Sequence, residues 1–376
     1  MSGVFDNILA ALPLVFSVDV MIAMIVGTMI GIAVGALPGL SATMGIAVLI
    51  PLTFAMDPLA ALGMIAGIYN GAMYGGAIPA ILLRIPGTPA AIATVFDGYA
   101  MARKGQAQRA LDISLVSSAI GGSVSALALL FLAPPLAAVA LKFSPADYFW
   151  LAIFGLSAIS VMLSANLAKG FLGVSLGLIL GTVGIDAITG AERYVFDNVN
   201  LLSGVNIIVF LTGLYAIPPA IDLIRGKLGT QKDVGHIDVP SDKAGGFSWS
   251  SLVPTWARSS GIGVVAGLIP GLGGNIAALL AWNAQGRFTK APALYGAPDG
   301  LAAPETANNA DNGTSLVPAL TLGVPGNAVA AIIMGSMLVH GLRPGPELFR
   351  DNADVVYGFM LAMLITCGLM LVIGKL

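Results

Sequence analysis

The stretch AAPETANNADNGTSLVPALTLGVPG, residues 302–326, decides how the whole sequence is interpreted. Eight of its residues are polar or charged within the eleven positions 305–315. The surrounding chain is 57% hydrophobic and only 10% charged, with a mean hydropathy of +0.91. Soluble domains carry about 25% charged residues, so this composition predicts an all-α polytopic membrane protein. A polar cluster at membrane depth is costly unless it lines a cavity or contacts other protein, so we expect a functional site here.

An earlier segment, NGAMYGGAIPAILLRIPG at residues 70–87, corresponds to this polar stretch. A second shared pattern, GxxxGxxPGL, begins at residue 31 and again at residue 263. Corresponding Gly/Pro-broken segments in two halves of a membrane protein indicate the binding site of a secondary transporter. The sequence therefore predicts a bundle built from inverted repeats with broken or re-entrant helices. Three identical pairs are each separated by 239 positions: Asn70 and Asn309, Pro79 and Pro318, and Pro86 and Pro325.

Apolar segments and loops divide the chain into five predicted regions. They are a first repeat at 1–109, connecting transmembrane helices at 110–224, a cytoplasmic loop at 225–250, a second repeat at 251–350 and a terminal transmembrane helix at 351–376. Basic residues concentrate in the loops 97–109 and 225–246. The positive-inside rule places both loops in the cytoplasm, which would give the two repeats opposite orientations.

Several individual segments carry their own expectations. Residues 18–37 form the first clear span, and residues 58–83 are long enough to cross the membrane. The apolar segment 111–141 is expected to kink at its Pro134–Pro135 pair. The segment 285–313 is mostly polar, and two short apolar arms that flank residues 324–327 follow it.

Four quoted motifs carry a resemblance to a known family. They are GALPGLSATMG (35–45), YNGAMYGGAIPAILLRIPGTPAA (69–91), GLIPGLGGNIA (267–277) and GLAAPETANNADNGTSLVPALTLGVPGNA (300–328). The chain resembles the large membrane subunit of tripartite tricarboxylate transporters, the TctA family. This resemblance implies a non-enzymatic, multi-pass subunit of the bacterial inner membrane that imports tricarboxylates or dicarboxylates by symport. It also implies two partners, a small four-helix membrane subunit and a periplasmic solute-binding protein, and a coupling gradient of Na⁺ or H⁺ without any other cofactor.

The sequence departs from the family in two places. Family members usually have further helices beyond the position at which this sequence ends, so the chain is C-terminally short by comparison. They also more often have a neutral polar residue where this chain has Arg84. A guanidinium at that position suggests an additional ligand for a substrate carboxylate, although a structural role is the commoner one.

Broken helices suggest how the site would work. Half-helix N-termini offer backbone N–H groups to anions, whereas unwound carbonyls suit cations. The alternative is that the glycines and prolines only pack or kink helices, while the polar residues cap them or join helices. Glu305 is equally well explained as a solvated helix cap, and Asp311 is expected to have no role in the site. Predicted substrate ligands are Ser41, Thr43, Asn70, Thr88, Asn275, Asn308, Asn309 and Asn327, with Glu305, Thr306 and Thr314 for the coupling ion and Arg84 for a carboxylate contact.

Other chemistries have little support in the sequence. It lacks GxxxxGK[ST], HExxH and GxSxG, and its single cysteine, Cys367, excludes an intrachain disulfide and a cysteine-based metal site. A net charge of −2 gives no indication of nucleic-acid binding. Two other functions stay open: a non-transporting membrane scaffold or sensor, and an intramembrane aspartyl enzyme that uses Asp97 and Asp311.

Overall fold

The fold is known from a computed structural model. The structure describes residues 2–37, 40–162, 167–185, 191–202, 204–205, 248–288 and 296–376, together with the single positions 210, 217 and 221. Most of the predicted loop 225–250 and of the preceding span lies outside the described residues, as do Pro38 and Gly39. The described part consists almost entirely of helices, which confirms the all-α prediction.

The first repeat consists of a series of helices that is interrupted twice. Its elements are α1 Ser2–Val15, α2 Val18–Ala36, α3 Ala42–Thr53, α4 Pro58–Gly75, α5 Ala77–Leu83, and a 3₁₀ turn Pro89–Ala91 leading into α6 Ile92–Arg103. The helix α4 begins at a proline, and Asp57 before it accepts a hydrogen bond from Leu59 N–H at 3.0 Å. That arrangement satisfies one of the free N–H groups at the helix start.

The connecting region contains one long helix and two shorter ones. They are α7 Ala107–Ala140, α8 Pro145–Met162 and α9 Leu167–Gly181, followed by an antiparallel pair of two-residue strands, Gly184–Ile185 and Glu192–Arg193, and a 3₁₀ turn Val199–Leu201. The helix α7 continues through Pro134 and Pro135 as a single element of 34 residues.

The second repeat follows the element order of the first. A 3₁₀ turn Trp249–Leu252 leads into α10 Val253–Leu268, α11 Gly273–Gln285, α12 Pro298–Thr314, α13 Leu316–Leu322 and α14 Ala328–Val339; then come α15 Leu348–Asp351 and α16 Ala353–Ile373. Sequence interpretation missed α12, because this helix is polar along most of its length. Its residues 300–314 are all buried, so it crosses the interior of the protein rather than facing lipid.

Four helical stretches in the described residues are long and apolar enough to cross a membrane. They are Val18–Ala36, Pro58–Leu83, Ala107–Ala140 and Ala353–Ile373. The stretch Pro58–Leu83 combines α4 and α5 and is largely buried in the protein. These helices support a multi-pass membrane protein.

Glycines bring one pair of helices in each repeat into backbone contact: α2 with α4 in the first repeat, and α10 with α12 in the second. In the first repeat, a Cβ on Gly31 would lie 2.5 Å from the carbonyl oxygen of Ile68 in α4. In the second repeat, a Cβ on Gly263 would collide with the corresponding carbonyl, that of Ala307 in α12. Membrane helices associate closely through such small residues, so the shared GxxxG pattern builds the same helix pair twice.

Each repeat also contains a broken hairpin, defined here as residues 76–88 in the first repeat and 315–327 in the second. In the first hairpin the N–H groups of Gly87 and Ile85 donate to the carbonyls of Gly76 (3.0 Å) and Pro79 (3.2 Å). The second hairpin forms the corresponding bonds from Gly326 to Ser315 (3.2 Å) and from Val324 to Pro318 (3.3 Å). The two hairpins therefore share one backbone geometry.

The two repeats exchange their last helices. In the first repeat, α6 packs on α11 of the second, with the Phe96 and Trp282 rings 4.8 Å apart. In the second repeat, α14 packs on α3 of the first, and His340 Nε2 lies 3.1 Å from Thr53 Oγ1. Neither repeat is therefore a separate structural unit.

Candidate functional site

Asn327 is the centre of the polar cluster between the repeats. Its Oδ1 caps α14 by accepting from Ala330 N–H at 2.8 Å. Its Nδ2 donates toward Asp311 Oδ2 at 2.8 Å, Ser315 Oγ at 2.9 Å and Tyr69 Oη at 3.0 Å. Because Tyr69 lies on α4, this side chain joins the second broken hairpin to the first repeat.

Asp311 and Asn308 each have one buried oxygen that no donor in the described part of the chain reaches. Asp311 Oδ2 accepts from Asn327, and the Gly274 N–H also donates to this carboxylate. Among the described residues, Asp311 Oδ1 and Asn308 Oδ1 have no hydrogen-bond partner, although the two residues are 0% and 1% exposed. Buried polar atoms are almost always satisfied, so these two oxygens require an explanation.

Glu305 has the opposite environment. Its Oε1 accepts a hydrogen bond from Thr94 in α6, and its Oε2 accepts from Ser114 at 3.1 Å and Ser118 at 2.9 Å in α7. Three hydroxyl donors satisfy both carboxylate oxygens and attach α12 to two neighbouring helices. Glu305 is fully buried, so the expectation of a solvated cap is wrong.

The asparagines of the cluster form a network that joins helices. Asn70 Nδ2 donates to the Met363 carbonyl at 3.0 Å and to Thr366 Oγ1 at 2.9 Å, both in α16. Asn312 donates to Asn70 Oδ1 at 3.0 Å and, at 3.4 Å, to Asn309 Oδ1. The repeat-matched pair, Asn70 and Asn309, therefore meets through a third asparagine. The bonds of Asn70 are those expected of a residue that holds helices together.

The remaining predicted ligands lie around the helix starts. Ser41 caps α3, accepting from Met44 N–H at 3.2 Å, and Thr43 is half-buried in the first turn of that helix. Asn275 is exposed in the first turn of α11. Thr88 precedes the 3₁₀ turn at the end of the first broken hairpin, is 3% exposed, and its Oγ1 has no partner.

Two threonines of α12 bond to their own helix. Thr306 Oγ1 donates to the Ala302 carbonyl at 2.7 Å, and Thr314 Oγ1 donates to the Ala310 carbonyl at 2.8 Å. Thr306 thus uses its proton inside the helix. Thr314 does the same, but its oxygen faces Gly267 of α10.

Arg84 is exposed at the end of α5. It ends α5 in the left-handed conformation with φ 61°, and its guanidinium carbon lies 5.9 Å from the centre of the Tyr99 ring. The repeat-matched residue, Gly323, has φ 71°. The left-handed conformation is therefore required by the broken hairpin, and in the first repeat a non-glycine residue adopts it.

Asp97 and Asp311 are far apart. Asp97 Oδ1 accepts from the N–H groups of Gly296 (2.9 Å) and Ala297 (3.0 Å), just before α12, and its Oδ2 accepts from Trp282 Nε1 at 2.8 Å. Asp311 lies near the other end of the same helix, roughly 20 Å away at 1.5 Å per residue. These two carboxylates therefore do not form the pair that an aspartyl enzyme needs, and Asp97 is a helix cap.

Sequence reasoning missed three participants in the cluster. Asp311 was expected to have no role, yet it has an unpartnered oxygen beside the glycine-rich break before α11. Tyr69 and Ser315 both contact Asn327. For Tyr69 and Ser315 the sequence offers one signal, the spacing of 239 residues between the repeats. It places Tyr69 opposite Asn308, and Ser315 opposite Gly76.

Comparison with known proteins gives one family and two relatives. The model of the "Tripartite tricarboxylate transporter TctA family" matches residues 21–376. An Agrobacterium vitis protein described as "Uncharacterized 52.8 kDa protein in TAR-I ttuC' 3'region" is 36% identical over 353 residues, which cover 93% of this chain and 70% of that protein. Another from the same organism, "Uncharacterized protein in TAR-II ttuC' 3'region", is 37% identical over 116 residues, covering 30% of this chain and 48% of the relative. No solved structure matches the chain.

The family match includes both repeats, both broken hairpins and the whole polar helix α12. It confirms the resemblance found in the sequence motifs. It also implies a subunit of a tripartite transport system with other components. This chain belongs to the tripartite tricarboxylate transporter TctA family.

Proposed function

We propose that this chain is the membrane-embedded subunit of a secondary active transporter that imports small tricarboxylates or dicarboxylates. A periplasmic binding protein delivers the substrate, a small four-helix membrane subunit completes the complex, and a Na⁺ or H⁺ gradient drives uptake by symport. The complex would reside in the bacterial inner membrane. Membership of the TctA family supports the transport role and the partners.

One observation carries the proposal: the two broken hairpins end at repeat-matched helix starts. Thr88 precedes the 3₁₀ turn into α6, and Asn327 precedes α14. The first N–H groups of a helix lack intrahelical partners and attract carboxylates, also through the helix dipole. We infer that these two starts bind the carboxylates of one substrate, which would then need no lysine or arginine.

Thr88 offers a sharp test because its buried hydroxyl has no hydrogen-bond partner among the residues that the structure describes. Replacing it by the isosteric valine removes a hydrogen-bond donor without leaving another group unsatisfied, so folding should not suffer. We expect Thr88→Val to weaken the apparent affinity for substrate about tenfold, the loss of one hydrogen bond to a charged group. The measurement is uptake of labelled citrate and smaller dicarboxylates into proteoliposomes that contain the chain and its presumed partners, with an imposed Na⁺ or H⁺ gradient.

Thr306→Val is the matched control, since Thr306 is equally buried and its hydroxyl bonds only within α12. Its uptake should resemble that of the unmodified chain. Equal affinities in the two variants would remove Thr88 from the site. If the assembled wild-type complex takes up no carboxylate under either gradient, the transport proposal fails and a scaffold role is favoured.

A further inference from the structure

Asp311 presents a buried carboxylate oxygen that has no hydrogen-bond partner in the described part of the chain. Asn327 and Gly274 hold the carboxylate in place from one side. Its Oδ1 receives no hydrogen bond, and neither does Oδ1 of Asn308 one turn earlier in α12. Within the part of the chain that the structure describes, no basic residue forms an ion pair with Asp311. A buried anionic oxygen of this kind is costly unless something binds it.

The oxygens lie together on one side of α12. Asn308, Asp311 and Thr314 are spaced by three residues, so they follow one another along the same side of the helix. Two glycines face them: a Cβ on Gly274 would lie 2.5 Å from Asn308 Oδ1 and 3.3 Å from Asp311 Oδ2, and a Cβ on Gly267 would lie 3.0 Å from Asp311 Oδ1. The break between α10 and α11 therefore approaches the oxygens with backbone alone.

The first repeat shows that packing does not require these oxygens. There α2 and α4 make the same glycine-mediated contact, and Gly35 faces the backbone carbonyl of Ala72. Ala72 corresponds to Asp311, and Gly75 corresponds to Thr314. The same helix pair thus forms with methyl and hydrogen where the second repeat has a carboxylate and a hydroxyl. Helix packing therefore does not explain why the second repeat has side-chain oxygens at these positions.

The other buried carboxylate of α12 is already satisfied. Glu305 accepts hydrogen bonds from Thr94, Ser114 and Ser118 and has no oxygen left without a donor. The candidate site for the coupling ion therefore moves along α12, from Glu305 and Thr306 toward Asp311. Of the three residues predicted for that ion, only Thr314 lies beside Asp311.

We propose that Asp311, Asn308 and Thr314 form a sodium site at the break between α10 and α11. Carboxylate, amide and hydroxyl oxygens are the ligands that a hard cation prefers, and one carboxylate balances a single positive charge. Carbonyls at the C-terminal end of α10 add favourable partial charge. The site itself is derived from these oxygens, whereas its role in driving uptake rests on the proposed function.

The test is sodium binding by the purified chain without substrate. Thermal unfolding is followed by tryptophan fluorescence while NaCl replaces KCl or choline chloride at constant ionic strength, and again across a pH series. A ligand that binds only the folded state raises the unfolding temperature with its concentration. We expect a saturable rise with Na⁺ that K⁺ does not produce, a loss of this rise in Asp311→Asn, and at least a tenfold weaker apparent Na⁺ affinity in Asn308→Ala.

Glu305→Gln is the control for a second buried carboxylate on the same helix, and it should keep the sodium response. The site is refuted if the wild-type chain shows no Na⁺-specific stabilisation, if only pH alters its stability, or if Asp311→Asn responds to Na⁺ like the wild type. Binding of ²²Na⁺ to the same variants checks any variant that unfolds too early for the thermal assay. Na⁺ binding without carboxylate uptake would contradict the proposed function alone, and uptake without Na⁺ binding would contradict this site alone.

Discussion

The broken hairpin at residues 76–88 and its counterpart at 315–327 make the same backbone hydrogen bonds, yet their side chains differ. In the first hairpin Gly76 and Thr88 face each other, and a Cβ on the glycine would lie 2.6 Å from Thr88 Oγ1. In the second, Ser315 and Asn327 occupy these positions and are joined by a hydrogen bond of 2.9 Å. The two hairpins therefore share the backbone break, and in the second repeat a side-chain hydrogen bond also spans it.

The largest expected effect comes from breaking the helix contact that both repeats share. In Gly263→Val the new side chain meets the Ala307 carbonyl and lies 2.6 Å from Ala310 Cβ, so α10 and α12 must separate. Overpacking of a tight interface costs about 3 kcal/mol, and we expect little folded protein by size-exclusion chromatography. Gly31→Val should act equally in the first repeat.

Gly261→Val is the control in the same helix, because an added Cβ there meets nothing within 4 Å. It should give as much folded protein as the unmodified chain. Normal recovery of Gly263→Val would show that the two helices are less closely packed than described.

The next largest effect is expected at Asp97, a position where the two repeats carry different side chains. Asp97 accepts three hydrogen bonds that fix the start of α12 and the indole of Trp282. Asp97→Ala leaves these donors unsatisfied and should cost about 2–3 kcal/mol of stability, seen as a lower unfolding temperature. The repeat-matched residue, Ser336, is buried, and its hydroxyl has no hydrogen-bond partner among the described residues, so Ser336→Ala should be close to neutral. Equal losses in the two variants would contradict the asymmetry.

The smallest effect concerns the left-handed residue of each hairpin. Gly323 has φ 71°, a conformation that costs a side chain about 1 kcal/mol, and Gly323→Ala should lower stability by that amount in thermal unfolding. Arg84 already adopts this conformation, so Arg84→Gly relieves strain but gives up a contact with Tyr99 and adds chain entropy. Its net change should be under about 1 kcal/mol. A large loss in Arg84→Gly would mean that the arginine holds the hairpin through its side chain.

The sequence pattern predicted the parts of the fold that depend on local signals. Glycine and proline spacing located both broken hairpins, and Ser41 and Asn327 do cap the helices that follow the breaks. Hydropathy located the apolar spans. It could not predict α12, because a helix enclosed by protein rather than lipid has no need of apolar residues.

The candidate site was less predictable because its contacts join distant parts of the chain. Glu305 and Asp311 lie six residues apart on one helix and look alike in the sequence. They differ in their hydrogen-bond donors. Thr94, Ser114 and Ser118 lie in helices about 190 to 210 residues earlier in the chain, and they donate to Glu305 but not to Asp311. No local pattern reports such partners.

The exchange of last helices between the repeats also has a consequence for biosynthesis. A ribosome adds about 5–20 residues per second, so roughly 10–30 s pass between completion of α6, which ends at Arg103, and synthesis of its partner α11, which begins at Gly273. During this interval α6 and Asp97 lack the surface that they will cover. The first repeat therefore stays incompletely packed in the membrane until the second repeat has been synthesised. During this time it is open to proteolysis and to non-native contacts.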